Sequence, residues 1–113
     1  MESCVLSPGV LIKPGAVVRE SILITDCVVE SGAVIERAIL DKHVRIGENA
    51  RVGGGIANSE IKLAVLGKNS ILPAGYIVEP GAEISTDVIS SDYDDSVIRA
   101  GQLITTRRKP NEI

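Results

Sequence analysis

The sequence repeats itself every 17 residues, and this period restricts the fold more than any other feature. Residues 1–17, 18–34 and 35–51 align with one another without a gap. Each unit divides into sub-repeats of five, six and six residues, and a large aliphatic residue opens each sub-repeat. These openers are Leu6, Ile12, Val18, Leu23, Val29, Ile35, Leu40 and Ile46. A fixed period of this kind predicts a solenoid, in which each unit packs only on its neighbours.

A second and usually smaller residue follows each opener by four positions. Because four is an even number, both residues point to the same side of an extended strand. We therefore expect a second inward column made of Val10, Ala16, Ile22, Cys27, Ala33, Ile39, Val44 and Ala50. Pairs such as Pro8-Gly9 and Pro14-Gly15 lie between the two inward positions and favour turns. Three short strands and three turns per unit predict triangular coils that stack into three parallel sheets.

The pattern aliphatic–x–x–x–small–x resembles the hexapeptide-repeat proteins. This resemblance implies an all-β fold, a single-stranded left-handed parallel β-helix with coils of about 17–18 residues. The left hand comes from the resemblance alone, since crossover connections are right-handed in general. An α-helix is excluded because openers six residues apart would lie on opposite faces. A β-sandwich would need hairpin turns rather than identical 17-residue units.

The repeat is interrupted once and then ends before the chain does. The next opener is due at residue 57, but the pattern resumes at Leu66, which indicates a nine-residue excursion within residues 53–65. Openers then follow at Leu72, Val78 and Ile84, and the pattern stops at Ser90. We predict a β-helix over residues 1–89 and a C-terminal cap with a basic tail over residues 90–113.

Composition excludes several kinds of function. The chain has two Tyr and no Phe or Trp, so its core is narrow and aliphatic. A net charge of −3 without a broad basic surface argues against nucleic-acid binding. Neither a signal peptide nor an apolar run of about 18 residues is present, so we expect a cytoplasmic protein that does not enter membranes. We also predict no metal site and no cofactor, since Cys4 and Cys27 lack metal-binding spacing and a single histidine cannot form a three-histidine zinc site.

Few side chains have a pattern that suggests chemistry. His43 is the only histidine; it falls at a turn with no acidic residue that the sequence fixes beside it, so we interpret it as a solvated corner residue. Cys27 is interpreted as a core residue, and Cys4 as a turn residue. Lys42 and Lys68 each follow an opener by two positions in adjacent coils, so both should project from one corner. Chance surface placement and an anion held between the two ammonium groups are the two explanations, and we predict no catalytic residue.

Three segments resemble one family more closely than the repeat alone does. Residues 3–10, 38–47 and 65–75, together with the Gly-rich segment after Val52, resemble the C-terminal domain of glucose-1-phosphate adenylyltransferases (ADP-glucose pyrophosphorylases). The resemblance implies a regulatory and oligomerisation domain of an enzyme that makes ADP-glucose from ATP and glucose 1-phosphate for glycogen or starch. In that family the Mg²⁺ and ATP are bound by a separate N-terminal catalytic domain, and Met1 falls within a repeat. We therefore expect an excised C-terminal domain.

The same resemblance implies partners and a site. Lys42 and Lys68 match lysines that contact anionic effectors in some members, while His43 stands where asparagine is more usual. The implied partners are a phosphorylated metabolite, the catalytic domain of the same protein and further copies in a homo-oligomer. Two alternatives remain open: a hexapeptide-repeat acyltransferase that uses His43 as its base, and a purely structural oligomerisation module.

Overall fold

Short parallel strands wind into a solenoid in the computed structural model, which describes residues 4–53 and 63–106. The described strands are β1 (Val5–Leu6), β2 (Leu11–Ile12), β3 (Val17–Arg19), β4 (Ile22–Leu23), β5 (Val28–Val29), β6 (Val34–Glu36), β7 (Ala38–Leu40), β8 (Arg45–Ile46), β9 (Arg51–Gly53), β10 (Ala64–Leu66), β11 (Ile71–Leu72), β12 (Ile77–Val78), β13 (Glu83–Ile84), β14 (Val97–Ile98) and β15 (Leu103–Ile104). A 3₁₀ turn, Ser90–Asp92, lies between β13 and β14.

Three sheets form the sides of the solenoid. The first sheet has the order β1-β4-β7-β10-β13-β15, the second β2-β5-β8-β11, and the third β3-β6-β9-β12-β14. Neighbouring strands are parallel, and Leu6 pairs with Leu23, which lies beside Leu40 in the next coil, at intervals of 17 positions. The fold is a left-handed parallel β-helix. The repeat predicts the parallel coils, the left hand agrees with the resemblance to hexapeptide-repeat proteins, and the 17-residue alignment is confirmed.

The openers form the core of the β-helix. Those from Val18 to Ile84 are at most 2% exposed, whereas Leu6 is 37% exposed. Leu6 belongs to the first described coil, and among the described residues only the second coil packs against it. Buried apolar area of this kind is the main favourable contribution to folding, about 25 cal/mol for each Å². The buried hydrophobic residues are aliphatic except for Cys27 and Tyr93, so the aliphatic core expected from the composition is confirmed.

The second inward column differs from the prediction at the five-residue sub-repeats. Ile22 is 42% exposed and Ile39 is only half-buried, so both point outward, while Ser21 and Ala38 are buried. The turns before β4 and β7 are one residue shorter than those of the six-residue sub-repeats, so the inward residue lies two positions before the next opener. It does not lie four positions after the previous one. Cys4 occupies the same inward position and packs against the core, which corrects its assignment to a turn.

The excursion has the predicted length but narrower bounds. Leu40 pairs with Leu66, 26 positions later, which is nine more than the 17-residue period. Gly53 still belongs to β9, and both Ala64 and Val65 belong to β10, so the ends of the 53–65 segment are part of the β-helix. Residues 54–62 lie outside the described part of the chain.

Strand stacking continues beyond residue 89, which corrects the predicted end of the β-helix. β14 pairs with β12, and β15 pairs with β13. Ile98 lies beside Val78, 20 positions earlier, so this coil is three residues longer than the regular 17-residue unit and departs from the pattern. The extra residues bring Tyr93 against Tyr76 with ring centroids 5.3 Å apart. The predicted basic tail, residues 107–113, lies outside the described residues.

Candidate functional site

The turns that follow β7 and β10 place Lys42 and Lys68 on one corner of the solenoid. Leu40 and Leu66 are directly paired, and each lysine follows its leucine by two positions. The backbone N–H of Asn69 donates to the carbonyl of Lys42 at 2.9 Å, so the two turns are stacked in register. Adjacent coils are separated by about 4.8 Å. We call this surface, formed by Lys42, His43, Lys68 and Asn69, the lysine corner.

Neither lysine side chain has an acidic partner within residues 4–53 and 63–106. Each is exposed, and neither forms an ion pair with any residue that the structure describes. The carboxylate of Asp41, the residue before Lys42, accepts the backbone N–H of Lys42 at 2.7 Å and stabilises the turn. Backbone bonds between coils align Thr25 below Lys42 and Thr86 above Lys68, so this column contains no carboxylate. The two positive charges therefore have no carboxylate directly above or below them in this column.

A second column of polar side chains runs beside the lysines. Asp26, His43, Asn69 and Asp87 occupy equivalent turn positions, and all have positive φ, between 59° and 62°. Asparagine and aspartate tolerate this left-handed conformation better than most residues do. Nδ1 of His43 lies 3.9 Å from Oδ2 of Asp26, and the Asn69 amide donates to Asp87 at 3.1 Å. His43 thus lies between Asp26 and Asn69 in this column, and Lys42 precedes it in the chain.

Asp26 is the residue that sequence reasoning missed. His43 is a corner residue with a side chain 55% exposed, as predicted, but it has a carboxylate on one side. The signal was present, because Asp26 precedes His43 by one 17-residue period. Residues at the same place in successive repeats become neighbours, so the alignment alone would have brought the two side chains together. A histidine beside a carboxylate can accept a proton or carry a positive charge.

The remaining candidates are structural. Cys27 is fully buried, its thiol donates to the carbonyl of Asp41 at 2.9 Å, and burial raises the pKa of the thiol.

Within residues 4–53 and 63–106, no three histidine, cysteine or acidic side chains cluster closely enough to hold a metal ion. Among the same residues there is no helix of the length and apolarity that crossing a bilayer requires. The prediction of Lys42 and Lys68 as an effector site stays a prediction, although their common corner is observed.

Two solved structures have a similar fold. Both are variants of the GDP-perosamine N-acetyltransferase of Caulobacter crescentus in complex with CoA and GDP-perosamine. One has alanine in place of a histidine and is 22% identical to this chain. The alignment covers 89% of this chain and 47% of the acetyltransferase, with a TM-score of 0.59. The other has asparagine there, with 21% identity, coverage of 92% and 48%, and a TM-score of 0.60. At these identities the likeness establishes the fold, and the present chain spans about half the length of those proteins.

Sequence comparison identifies the family. The family described as GlmU-like, C-terminal hexapeptide matches residues 1–65, which is more than half of the chain. The chain belongs to this family. A comparison with characterised proteins gave no significant match in sequence. Membership in the GlmU-like family agrees with the hexapeptide repeats and with the β-helix, but it does not support the resemblance to ADP-glucose pyrophosphorylases.

Proposed function

We propose that this chain is the hexapeptide-repeat domain of an enzyme of sugar-nucleotide metabolism, and that its lysine corner binds a phosphorylated metabolite. The observation that carries the proposal is the stacking of Lys42 on Lys68 in a column without a carboxylate. Like charges directly opposite each other on adjacent strands are destabilising. A phosphate group between the two ammonium groups removes this repulsion and accepts charge-assisted hydrogen bonds from both.

The finer version of this proposal is a regulatory and assembly domain of a glucose-1-phosphate adenylyltransferase. Residues 38–47 and 65–75 support it, because they resemble the C-terminal domain of these enzymes and contain both lysines. In this version the Mg²⁺-dependent reaction of ATP with glucose 1-phosphate belongs to a separate catalytic domain. The β-helix contributes oligomer contacts and a site for an anionic effector, in a cytoplasmic enzyme of glycogen or starch synthesis.

A titration with inorganic phosphate tests the anion site. We expect the amide signals of the lysine corner to shift in NMR spectra, with a dissociation constant in the millimolar range, or about 4 kcal/mol. Affinity should fall with added salt, because exposed charges are screened. Lys42→Gln and Lys68→Gln should each weaken binding. Lys13→Gln is the matched control, since Lys13 lies on a different corner, in the turn after β2. Equal binding by all of the variants would contradict the proposal.

A second candidate function is acyl transfer with His43 as the general base. The observation that favours it is the carboxylate of Asp26 beside His43, with Oδ2 3.9 Å from Nδ1. For the carboxylate to orient the ring, the two side chains must close to about 3.2 Å or less when the substrate binds. The similar solved structures are N-acetyltransferases bound to CoA, so the comparisons favour this candidate over an ADP-glucose enzyme. In this reaction an amine nitrogen attacks the thioester carbonyl, His43 accepts the amine proton, an amide forms and CoA leaves.

Turnover of acetyl-CoA separates the candidates. For an acyltransferase, CoA thiol should be released when acetyl-CoA is mixed with a nucleotide-linked amino sugar, and His43→Ala should abolish this release. Lys13→Gln should leave it unchanged. Phosphate binding without thiol release would support the regulatory domain. The absence of both activities, with oligomers still formed, would indicate a purely structural module.

A further inference from the structure

His43 adds a titratable group to the lysine corner. It follows Lys42 in the chain and is stacked beside Asn69, the neighbour of Lys68, in the next coil. Its Nδ1 faces Asp26, whereas Nε2 makes no hydrogen bond to any described residue. Histidine is the side chain whose ordinary charge change falls between pH 5 and pH 8. The lysine corner therefore carries two permanent positive charges and a third that depends on pH.

We propose that His43 is the pH-dependent, affinity-determining residue of the anion site, so that the lysine corner binds a dianionic oxyanion more tightly as the pH falls. This inference rests on the proposed binding of a phosphorylated metabolite at Lys42 and Lys68. Protonated His43 offers the anion an additional charge-assisted hydrogen bond through Nε2. By linkage, an anion that favours the protonated ring must bind more tightly where that ring is protonated.

The groups around His43 decide how large the effect is. Asp26 faces the ring from the preceding coil and competes with the anion for the positive charge. Asn69 faces it from the following coil and is neutral, and its amide is bonded to Asp87. The carboxylate of Asp41 is bonded to the backbone of Lys42. Since these groups are exposed, the gain should be modest, about two- to fivefold in affinity between pH 8 and pH 5.5.

Inorganic sulfate is the appropriate probe, because it keeps both negative charges throughout this range, whereas phosphate loses one near pH 6–7. We would titrate the full chain with sulfate at constant ionic strength from pH 5.5 to pH 8 and follow amide signals in NMR spectra. The only histidine is His43, so the single imidazole Hε1 signal reports its protonation without assignment. This signal should titrate at higher pH when sulfate is present.

Variants separate the roles of the two kinds of cation. His43→Asn keeps a residue that tolerates positive φ and should abolish the increase in sulfate affinity between pH 8 and pH 5.5. Lys42→Gln should weaken sulfate binding at every pH and keep the dependence.

The outcomes also separate this inference from the function on which it rests. If sulfate binding depends on both lysines but has the same pH dependence in His43→Asn as in the unmodified chain, the role of His43 would be overturned and the anion site would stand. Sulfate binding that is absent at every pH would overturn both the anion site and the role of His43. A pH dependence that disappears only in His43→Asn would establish the inference.

Discussion

Leu40 and Ile39 are neighbours on β7, and their substitution by alanine tests which residues point into the β-helix. Leu40 is fully buried and lies in a column between Leu23 and Leu66, which are also fully buried. Replacing a buried leucine by alanine costs about 2–5 kcal/mol, depending on how far the site can collapse. Ladders of hydrogen bonds hold the coils on both sides of Leu40, so little collapse is possible. We expect a loss in the upper half of this range, which is a large part of a total stability of about 5–15 kcal/mol.

Ile39 provides the matched control because the same strand carries it on the outer face. Its side chain is half-buried, and Ile39→Ala should cost about 1 kcal/mol or less. Urea unfolding followed by circular dichroism measures both changes, and the Leu40→Ala midpoint should fall by roughly 1–3 M. Leu40→Asp should not fold at all, since it buries an unpaired charge. Equal losses for Leu40→Ala and Ile39→Ala would refute the assignment of Leu40 to the core and of Ile39 to the outer face.

Four further predictions concern turns, charges, protonation and assembly. Gly47→Ala should lower the melting temperature more than Gly75→Ala, because a Cβ at Gly47 would overlap the backbone of the next coil. At Gly75 a Cβ meets no atom within 4 Å, and alanine there bears only the strain of a φ of 75°. The Arg37–Glu20 ion pair, 3.0 Å long, should contribute about 0.2–1 kcal/mol in a double-mutant cycle, less at high salt. Burial raises the pKa of Tyr93, so the contribution of its protonated ring to stability should be fully present below about pH 10, the ordinary tyrosine pKa, and should decrease at higher pH. Absorbance at 295 nm would follow the ionisation of the ring. Sedimentation at micromolar concentration should reveal oligomers, and a purely monomeric chain would contradict the predicted self-association.

The fold was readable from the sequence because a solenoid converts sequence period into spatial contact. Residues 17 positions apart become neighbours, so the opener column could be predicted. The same period aligns charged residues into two ladders, Glu2 with Arg19 and Glu36, and Glu20 with Arg37. Arg19 indeed pairs with Glu36 at 3.5 Å, and Glu20 with Arg37. Glu2, the third member of the first ladder, lies outside the described residues.

The errors arose where the spacing changes. The shorter turn before β4 and β7 moved the inward position to Ser21 and Ala38, which a rule based on six-residue units could not anticipate. The hydroxyl of Ser21 is hydrogen-bonded at this inward position, because it donates to the carbonyl of Arg19 at 2.7 Å and accepts the N–H of Ala38 at 3.2 Å. For the same reason, the longer last coil placed β14 and β15 in the predicted C-terminal cap rather than in the β-helix.

The lysine corner was only partly readable, and its position in the fold explains why it can still be tested cleanly. The excursion separates Lys42 from Lys68 in sequence, so their stacking depended on the correct restart of the pattern at Leu66. The position of Asp26 beside His43 could have been predicted by comparing residues one 17-residue period apart. Because the stability of a solenoid comes from the contacts of adjacent coils, the exposed side chains at this corner contribute little to it. Conservative substitutions there should change stability by no more than about 0.5 kcal/mol. A change in anion binding, acyl transfer or pH dependence in those variants would then report the function of the corner rather than the loss of the fold.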